Sequence, residues 1–238
     1  MLNVLEKIKS NRDSRAFKVL YYLRHPVFTT YTWLYGAYLT LRYVDKYTEF
    51  PAITFTELIQ LKINKNNGSK LLISGRLIIS PWLGGRTPSY IGLGAGSRLE
   101  ICNDFIIGDD VRINLSPKSK LLIKGKSVSS GSGITCRSVL LINEFVEIGK
   151  DSIVSWDTFI TDSDHHPIDG VLKVAPTRLR DHVWICVGAK ILKGADIGMD
   201  SIVAPHSVVL EGRYNNRVLL AGSPASVVKK DIAAWSRE

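Results

Sequence analysis

Cysteine is scarce in this chain of 238 residues, and Cys102, Cys136 and Cys186 lie far apart. An odd count at wide spacing makes no disulfide framework, no zinc ribbon and no CxxC redox pair. A reducing compartment is the simplest expectation. Long apolar runs are also missing. The longest uncharged apolar stretch, residues 26–41 (PVFTTYTWLYGAYLTL), is 16 residues with four threonines, short of the roughly 18–20 that span a bilayer. The opening MLNVLEKIKSNRDSR mixes charges and has no signal-peptide core. Acidic side chains are the minority, 22 Asp+Glu against 31 Lys+Arg, for a formal net charge of +9. The surplus is spread along the chain, so it reads equally as a solvated surface or as affinity for a phosphate-bearing cofactor or acidic lipid. No nucleic-acid-binding motif accompanies it, and nucleic acid is not an expected partner. At 45% hydrophobic and 22% charged residues, a packed core is expected and global disorder is not.

Two regions of unlike texture follow. Residues 1–65 read as a helical N-terminal region. Phe17, Leu20 and Tyr21 fall at helical spacing, as do Tyr31, Leu34, Tyr35 and Tyr38. A second helix is expected over 55–62, capped by Thr54 or Thr56. The aromatics of this region sit between Lys18, Arg24, Arg42 and Lys46. That pattern suits either packing on the chain's own domain or on a neighbouring subunit, or contact with a membrane interface.

Residues 66–238 form the second region, where glycine recurs every few positions and helix signals vanish until the end. Ile142, Ile148, Val154 and Ile160 are six apart, and so are Ile185, Ile191, Ile197, Val203 and Val209. Leu93 with Leu99, and Ile107 with Ile113, echo the period. A compact residue often follows the aliphatic by four, as at Ser97, Val111, Ser152, Ser201 and Ser207. Each six-residue unit lays down one short strand and a tight corner. Three units close one coil of a triangular prism, and stacked coils pair their strands in parallel around one aliphatic column. A β-sandwich would instead alternate at period two with turns every 8–12 residues.

The units Leu93-Gly-Ala-Gly-Ser-Arg, Ile107-Gly-Asp-Asp-Val-Arg, Ile148-Gly-Lys-Asp-Ser-Ile and Ile197-Gly-Met-Asp-Ser-Ile resemble those of the hexapeptide-repeat acyltransferases. Within that family the likeness is to O-acetyltransferases that decorate sugars, including bacterial surface polysaccharides. The resemblance covers about residues 70–232. It implies an all-β left-handed parallel β-helix, here with an N-terminal α-helical extension and a short C-terminal helix over about 230–237.

The period breaks between Ile160 and Ile185, and the inserted loop, 161–182, holds His165, His166 and His182 with Asp162, Asp164 and Asp169. A loop leaving a rigid scaffold is where chemistry is usually hung. Acetyl transfer to a hydroxyl needs a base for the hydroxyl proton, an acceptor that orients that base, and N–H donors for the oxyanion. By resemblance the base falls on His166, before Pro167, with His165 as the alternative. Asp162 or Asp164 would orient it. Asn143 and Trp156 are candidates for the acceptor side.

The resemblance also implies acetyl-CoA as donor, lying in a groove between β-helices of a homotrimer. Trp184 would pack beside the pantetheine arm, and the Val187 N–H would meet the oxyanion. Gly188 and Ala204 would form the small-residue wall with Pro205 beside them, Gly222 and Pro224 the turn near the adenine, and Lys229 and Lys230 the contacts to phosphate. Cys186 stands where the family has glycine and is not expected as a nucleophile. Pro205 and His206 replace the small pair usual at that turn.

The expected function is acetyl-CoA-dependent O-acetylation of a sugar or glycan hydroxyl, without an acyl-enzyme. The expected location is the cytoplasm, with a possible peripheral role at the inner membrane face. N-acetylation of an amino sugar is the alternative. A metal-dependent reaction like that of the γ-class carbonic anhydrases is a further one, but adjacent histidines diverge on an extended chain, and no metal is expected.

Overall fold

The computed structural model describes residues 25–82, 84–127, 131–233 and 235–236. The helical expectation for Phe17, Leu20 and Tyr21 lies outside the described residues. Strands wind in repeating order through three parallel sheets, the faces of a left-handed triangular prism. Face A runs from Lys46–Tyr47 through Phe145–Ile148 and Thr177–Leu179 to Gly212–Tyr214. Face B runs from Ile53–Phe55 through Trp184–Ile185 to Leu219–Gly222, and face C from Leu61–Lys65 through Phe159–Thr161 to Val208–Val209.

The aliphatics that keep the six-residue period, including Ile148, Val154, Ile160, Ile185, Ile191, Ile197 and Val203, are buried in the column at the prism's centre. Each contributes about 1.5–3 kcal/mol relative to exposure. The late coils keep strict register: Arg178 lies opposite Asp196, Trp184 opposite Ile202 and Lys190 opposite Val208, each pair 18 residues apart. Earlier coils carry longer corners; Lys120 pairs with Phe145 across 25 residues. That is why the repeat is faint there. The corners need left-handed backbone, and aspartates supply it at Asp110, Asp151 and Asp200, with φ between 51° and 57°.

Two sequence expectations change here. Residues 55–62 do not form a helix. Leu61–Lys65 is a strand with Leu61 and Ile63 buried and Lys62 and Asn64 exposed, paired in parallel with Ser89–Leu93. Sheet pairing overrides local helix propensity, and the prism begins at Lys46. The chain's end is not a helix either, among the described residues. It turns at Ser223–Pro224, and Ala225–Lys229 pairs antiparallel with Leu219–Gly222. Strand pairing satisfies backbone groups that face B's edge would otherwise leave open.

The helix that does form, α1 (Pro26–Tyr43), lies on the first strand of face B. Proline at its first turn suits the fixed φ of that position. Its packed face is small and polar. A Cβ on Gly36 would stand 2.2 Å from the Ile53 carbonyl oxygen. The Thr40 hydroxyl donates to the Gly36 carbonyl at 2.8 Å and accepts from the Ile53 N–H at 3.1 Å.

Candidate active site

The loop that breaks the repeat leaves the end of strand Phe159–Thr161 on face C and returns to face A at Thr177–Leu179. It is a small antiparallel finger. Ser163 bridges to Val174 and Ile168 to Val171. Asp169 (φ 51°) and Gly170 (φ 76°) make the tip, two consecutive left-handed residues as a type I′ hairpin turn requires.

Asp162 anchors the stem. It is fully buried, and its carboxylate accepts from the N–H groups of Asn143 (2.7 Å), Glu144 (2.7 Å) and Phe145 (2.6 Å). Its acceptor capacity is spent on backbone, so it does not orient an imidazole. Asn143 is likewise committed. Its Oδ1 accepts from Ser116 at 2.7 Å, and its Nδ2 donates to the Ser163 hydroxyl at 3.0 Å. That hydroxyl accepts the His165 backbone N–H at 3.0 Å. Asn143 thus holds the histidine's backbone through Ser163.

The two histidines of the loop are placed differently. His165 is half-buried with φ 63°, in a cleft lined by Phe159, Thr161, Leu192, Lys193 and Leu210. Its Nε2 lies 2.9 Å from Thr161 Oγ1, and its ring meets the edge of Phe159. His166 is exposed; its backbone N–H donates to the Asp164 carbonyl, and its ring has no partner among the described residues. Asp164 does not reach either imidazole. Its Oδ1 pairs with Lys193 Nζ at 2.8 Å, and its buried Oδ2 has no hydrogen-bond partner. His182 is elsewhere: its Nδ1 is 2.8 Å from Asp200, and its ring stacks on Trp235 at 4.1 Å. Among the described residues, no three His, Cys, Asp or Glu side chains gather to hold a metal ion.

Most of the donor-side candidates line one edge of the prism, between faces B and C. The Gly188 N–H donates to the Trp156 carbonyl, and the His206 N–H to the Val187 carbonyl, stacking three coils. Ala204 continues that edge by donating to Leu220, and Gly222 donates to the Ser207 hydroxyl. Pro205 sits in the same corner, between Ala204 and His206. A Cβ on Gly188 (φ 69°) would stand 2.3 Å from the exposed His206 ring, so a side chain there would have to displace that ring. The Val187 N–H has no partner among the described residues. Pro224, Lys229 and Lys230 lie exposed on the final hairpin and just beyond it.

Trp184 faces outward on face B. Its Nε1 donates to Ser155 at 3.2 Å, and with Trp82 and Trp235 it walls a groove floored by Ile106, Gly133 and Ile153. Neighbouring Cys186 is buried, and desolvation pushes its thiol up to about 11. It stays protonated near neutral pH, as suits packing rather than nucleophilic attack.

Sequence reasoning missed Thr161, Ser163 and Lys193 around the imidazole. Hydroxyls beside a histidine leave no spacing signature. The signal that could have found the finger is Asp169-Gly170, a hairpin dipeptide between apolar residues.

No protein-family model matches the chain. Fold, repeat and loop make it similar to the hexapeptide-repeat acyltransferases. Particular relatives bear the same kind of name. A Saccharomyces cerevisiae protein named for an acetyltransferase is 38% identical over 71 residues, 27% of this chain and 36% of that protein. Escherichia coli K12 WbbJ, named for lipopolysaccharide-biosynthesis O-acetyl transfer, is 29% identical over 101 residues, 37% of this chain and 51% of WbbJ. The chain thus spans about half or less of the curated relatives it matches. The crystal structure of the polysialic acid O-acetyltransferase OatWY aligns at 24% identity and TM-score 0.47, over 76% of this chain and 90% of that one.

Proposed function

We infer that this protein is an acetyl-CoA-dependent O-acetyltransferase acting on a sugar or glycan hydroxyl, and that His165 is its general base. One observation carries the reading: the loop that interrupts the repeat holds one imidazole in a cleft, with one ring nitrogen already engaged by Thr161. The names of the matched relatives support the same class of reaction.

The chemistry follows from that arrangement. With Nε2 donating to Thr161 Oγ1, Nδ1 is left with its lone pair. Thr161 can pass its own hydrogen to the Ser163 carbonyl oxygen, 3.5 Å away. Nδ1 takes the acceptor hydroxyl's proton as that oxygen attacks the thioester carbonyl carbon. A C–O bond forms, and the C–S bond breaks as the tetrahedral intermediate collapses. The imidazolium returns the proton to the departing thiolate. The Val187 N–H, without a partner among the described residues, is the candidate oxyanion donor. The edge fits a slender donor: Gly188 keeps it low, and successive backbone groups lie along it.

The cleft of His165 lies at the edge where face C turns into face A, and the groove of Trp184 on face B. One site that uses both is assembled between copies, which favours a homotrimer. Free Cys102, Cys136 and Cys186 fit a reducing, cytoplasmic setting.

The test incubates sugars and oligosaccharides, with and without free amines, with acetyl-CoA and follows products by mass spectrometry. Gain of one acetyl group on a compound without an amine is the expected result. Modification confined to amines would transfer the reading to N-acetylation, and no modified product together with no thiol release would defeat both.

A further inference from the structure

Helix α1 is amphipathic in the inverse sense. The residues it buries are mostly small or polar: Thr32, Gly36, Ala37, Leu39 and Thr40. Leu39, Tyr35 and Tyr43 pack against the prism's core, and five other large apolar residues point away from it. Val27, Tyr31, Leu34, Tyr38 and Leu41 recur at spacings of four and three, which puts them on one face. They are 55–83% exposed. The stripe is about 21 Å long at 1.5 Å per residue. Exposed Trp33 and Phe50 pack edge to face at 6.0 Å farther round the helix.

A scattered exposed leucine needs no explanation, but a continuous apolar strip of this length does. Arg42 is the helix's one charged residue. Asp45 is paired with Lys65, and Glu49 with Arg76; Glu57 remains as an exposed acid on the adjoining segment. Cations dominate the surroundings, with Lys46 and Arg86 exposed nearby. The residues that lead into the helix carry Lys7, Lys9, Arg12, Arg15, Lys18 and Arg24 against Glu6 and Asp13. Aromatic rings with one wet end, aliphatics and flanking cations match the interface of an anionic bilayer. No helix among the described residues is long and apolar enough to cross a membrane, so the fitting arrangement is a helix lying along the surface.

We propose that the outward stripe of α1 (Val27, Tyr31, Leu34, Tyr38 and Leu41) is a docking face for an anionic lipid surface, which seats this end of the prism on the membrane. The proposal stands apart from the acyl-transfer reading, since binding is measured without activity.

The test is flotation of the full chain with phosphatidylcholine vesicles, with and without phosphatidylglycerol. Wild type floats with anionic vesicles, and binding weakens at high salt. Leu34→Glu and Leu41→Glu each lower the bound fraction on the order of tenfold, whereas Met199→Glu, the same change at an exposed site on a late corner, does not. Brominated lipid quenches wild-type tryptophan fluorescence, and Trp33→Phe removes most of that quenching. Absence of wild-type flotation, stripe variants that float as well as wild type, or quenching unaffected by Trp33→Phe would each overturn the proposal. So would stripe variants with reduced mass in sedimentation, which would assign the face to a second copy of the chain.

Discussion

His165 Nε2 lies 2.9 Å from Thr161 Oγ1, and Thr161 is itself a buried residue at the end of a prism strand. A rigid strand therefore sets the ring's orientation although the ring sits on a loop. If that contact fixes the working tautomer, His165→Ala lowers kcat by about 10²–10⁴-fold, and Thr161→Val lowers it by on the order of tenfold with little change in KM. His166→Ala stays within about threefold of wild type, because its ring is exposed and has no partner among the described residues. Steady-state kinetics on the three variants decide it. A dead His166→Ala beside an active His165→Ala would return the base to the position first read from the His-Pro pair.

The proposal that the site is shared between copies predicts complementation. His165→Ala and Trp184→Ala chains, unfolded together and refolded as mixed oligomers, recover activity in about one site in four, since each intact site draws one residue from each copy. Mixtures no more active than either parent would mean that both residues serve within one chain, or that Trp184 is not used.

Asp162 predicts a stability effect separable from chemistry. Asp162→Ala leaves three part-buried backbone N–H bonds without their acceptor, a cost of about 3 kcal/mol. The melting temperature then falls by roughly 6–12 °C. Scanning calorimetry measures it; an unchanged Tm would show that the stem is held some other way.

The Cys186 thiol, pushed up to about 11 by burial, reacts slowly with iodoacetamide at neutral pH in the native state and fast once unfolded. Cys186→Ala keeps most acetyl-transfer activity. Rapid native alkylation traced to Cys186 by peptide mapping would contradict the burial argument.

On face A, Arg180 donates to both carboxylate oxygens of Asp196 at 2.7 Å, and this hydrogen bonding holds the Asp196 carboxyl below its ordinary value of 3.8. A lowered folded-state value contributes stability above the unfolded value and loses it as pH falls through the folded one. Asp196→Asn therefore costs up to about 1 kcal/mol at neutral pH, given partial exposure of the pair. The gap from wild type closes as pH drops below 3.8. Urea titrations at both pH values test the sign.

Much of the architecture was legible before any coordinates. The six-residue period of Ile185, Ile191, Ile197, Val203 and Val209 needs only local spacing, and a prism with that column buried follows from it. The loop between Ile160 and Ile185 was visible as a missed beat. Pairing hid the rest. Residues 55–62 look helical alone, yet Leu61–Lys65 is a strand because Ser89–Leu93 lies beside it.

The side chains of the loop were read less well, for a related reason. Asp162, Asp164 and Asn143 share a segment or neighbourhood with the histidines, yet their partners are backbone amides, Lys193 and two serines on other turns and coils. Sequence alone determined that a three-sided coil exists and where it is interrupted, because periodic burial is a property of neighbours along the chain. Only the tertiary structure decided which imidazole enters the cleft and which carboxylate is already taken, because hydrogen bonds are settled by distances between residues far apart in that order.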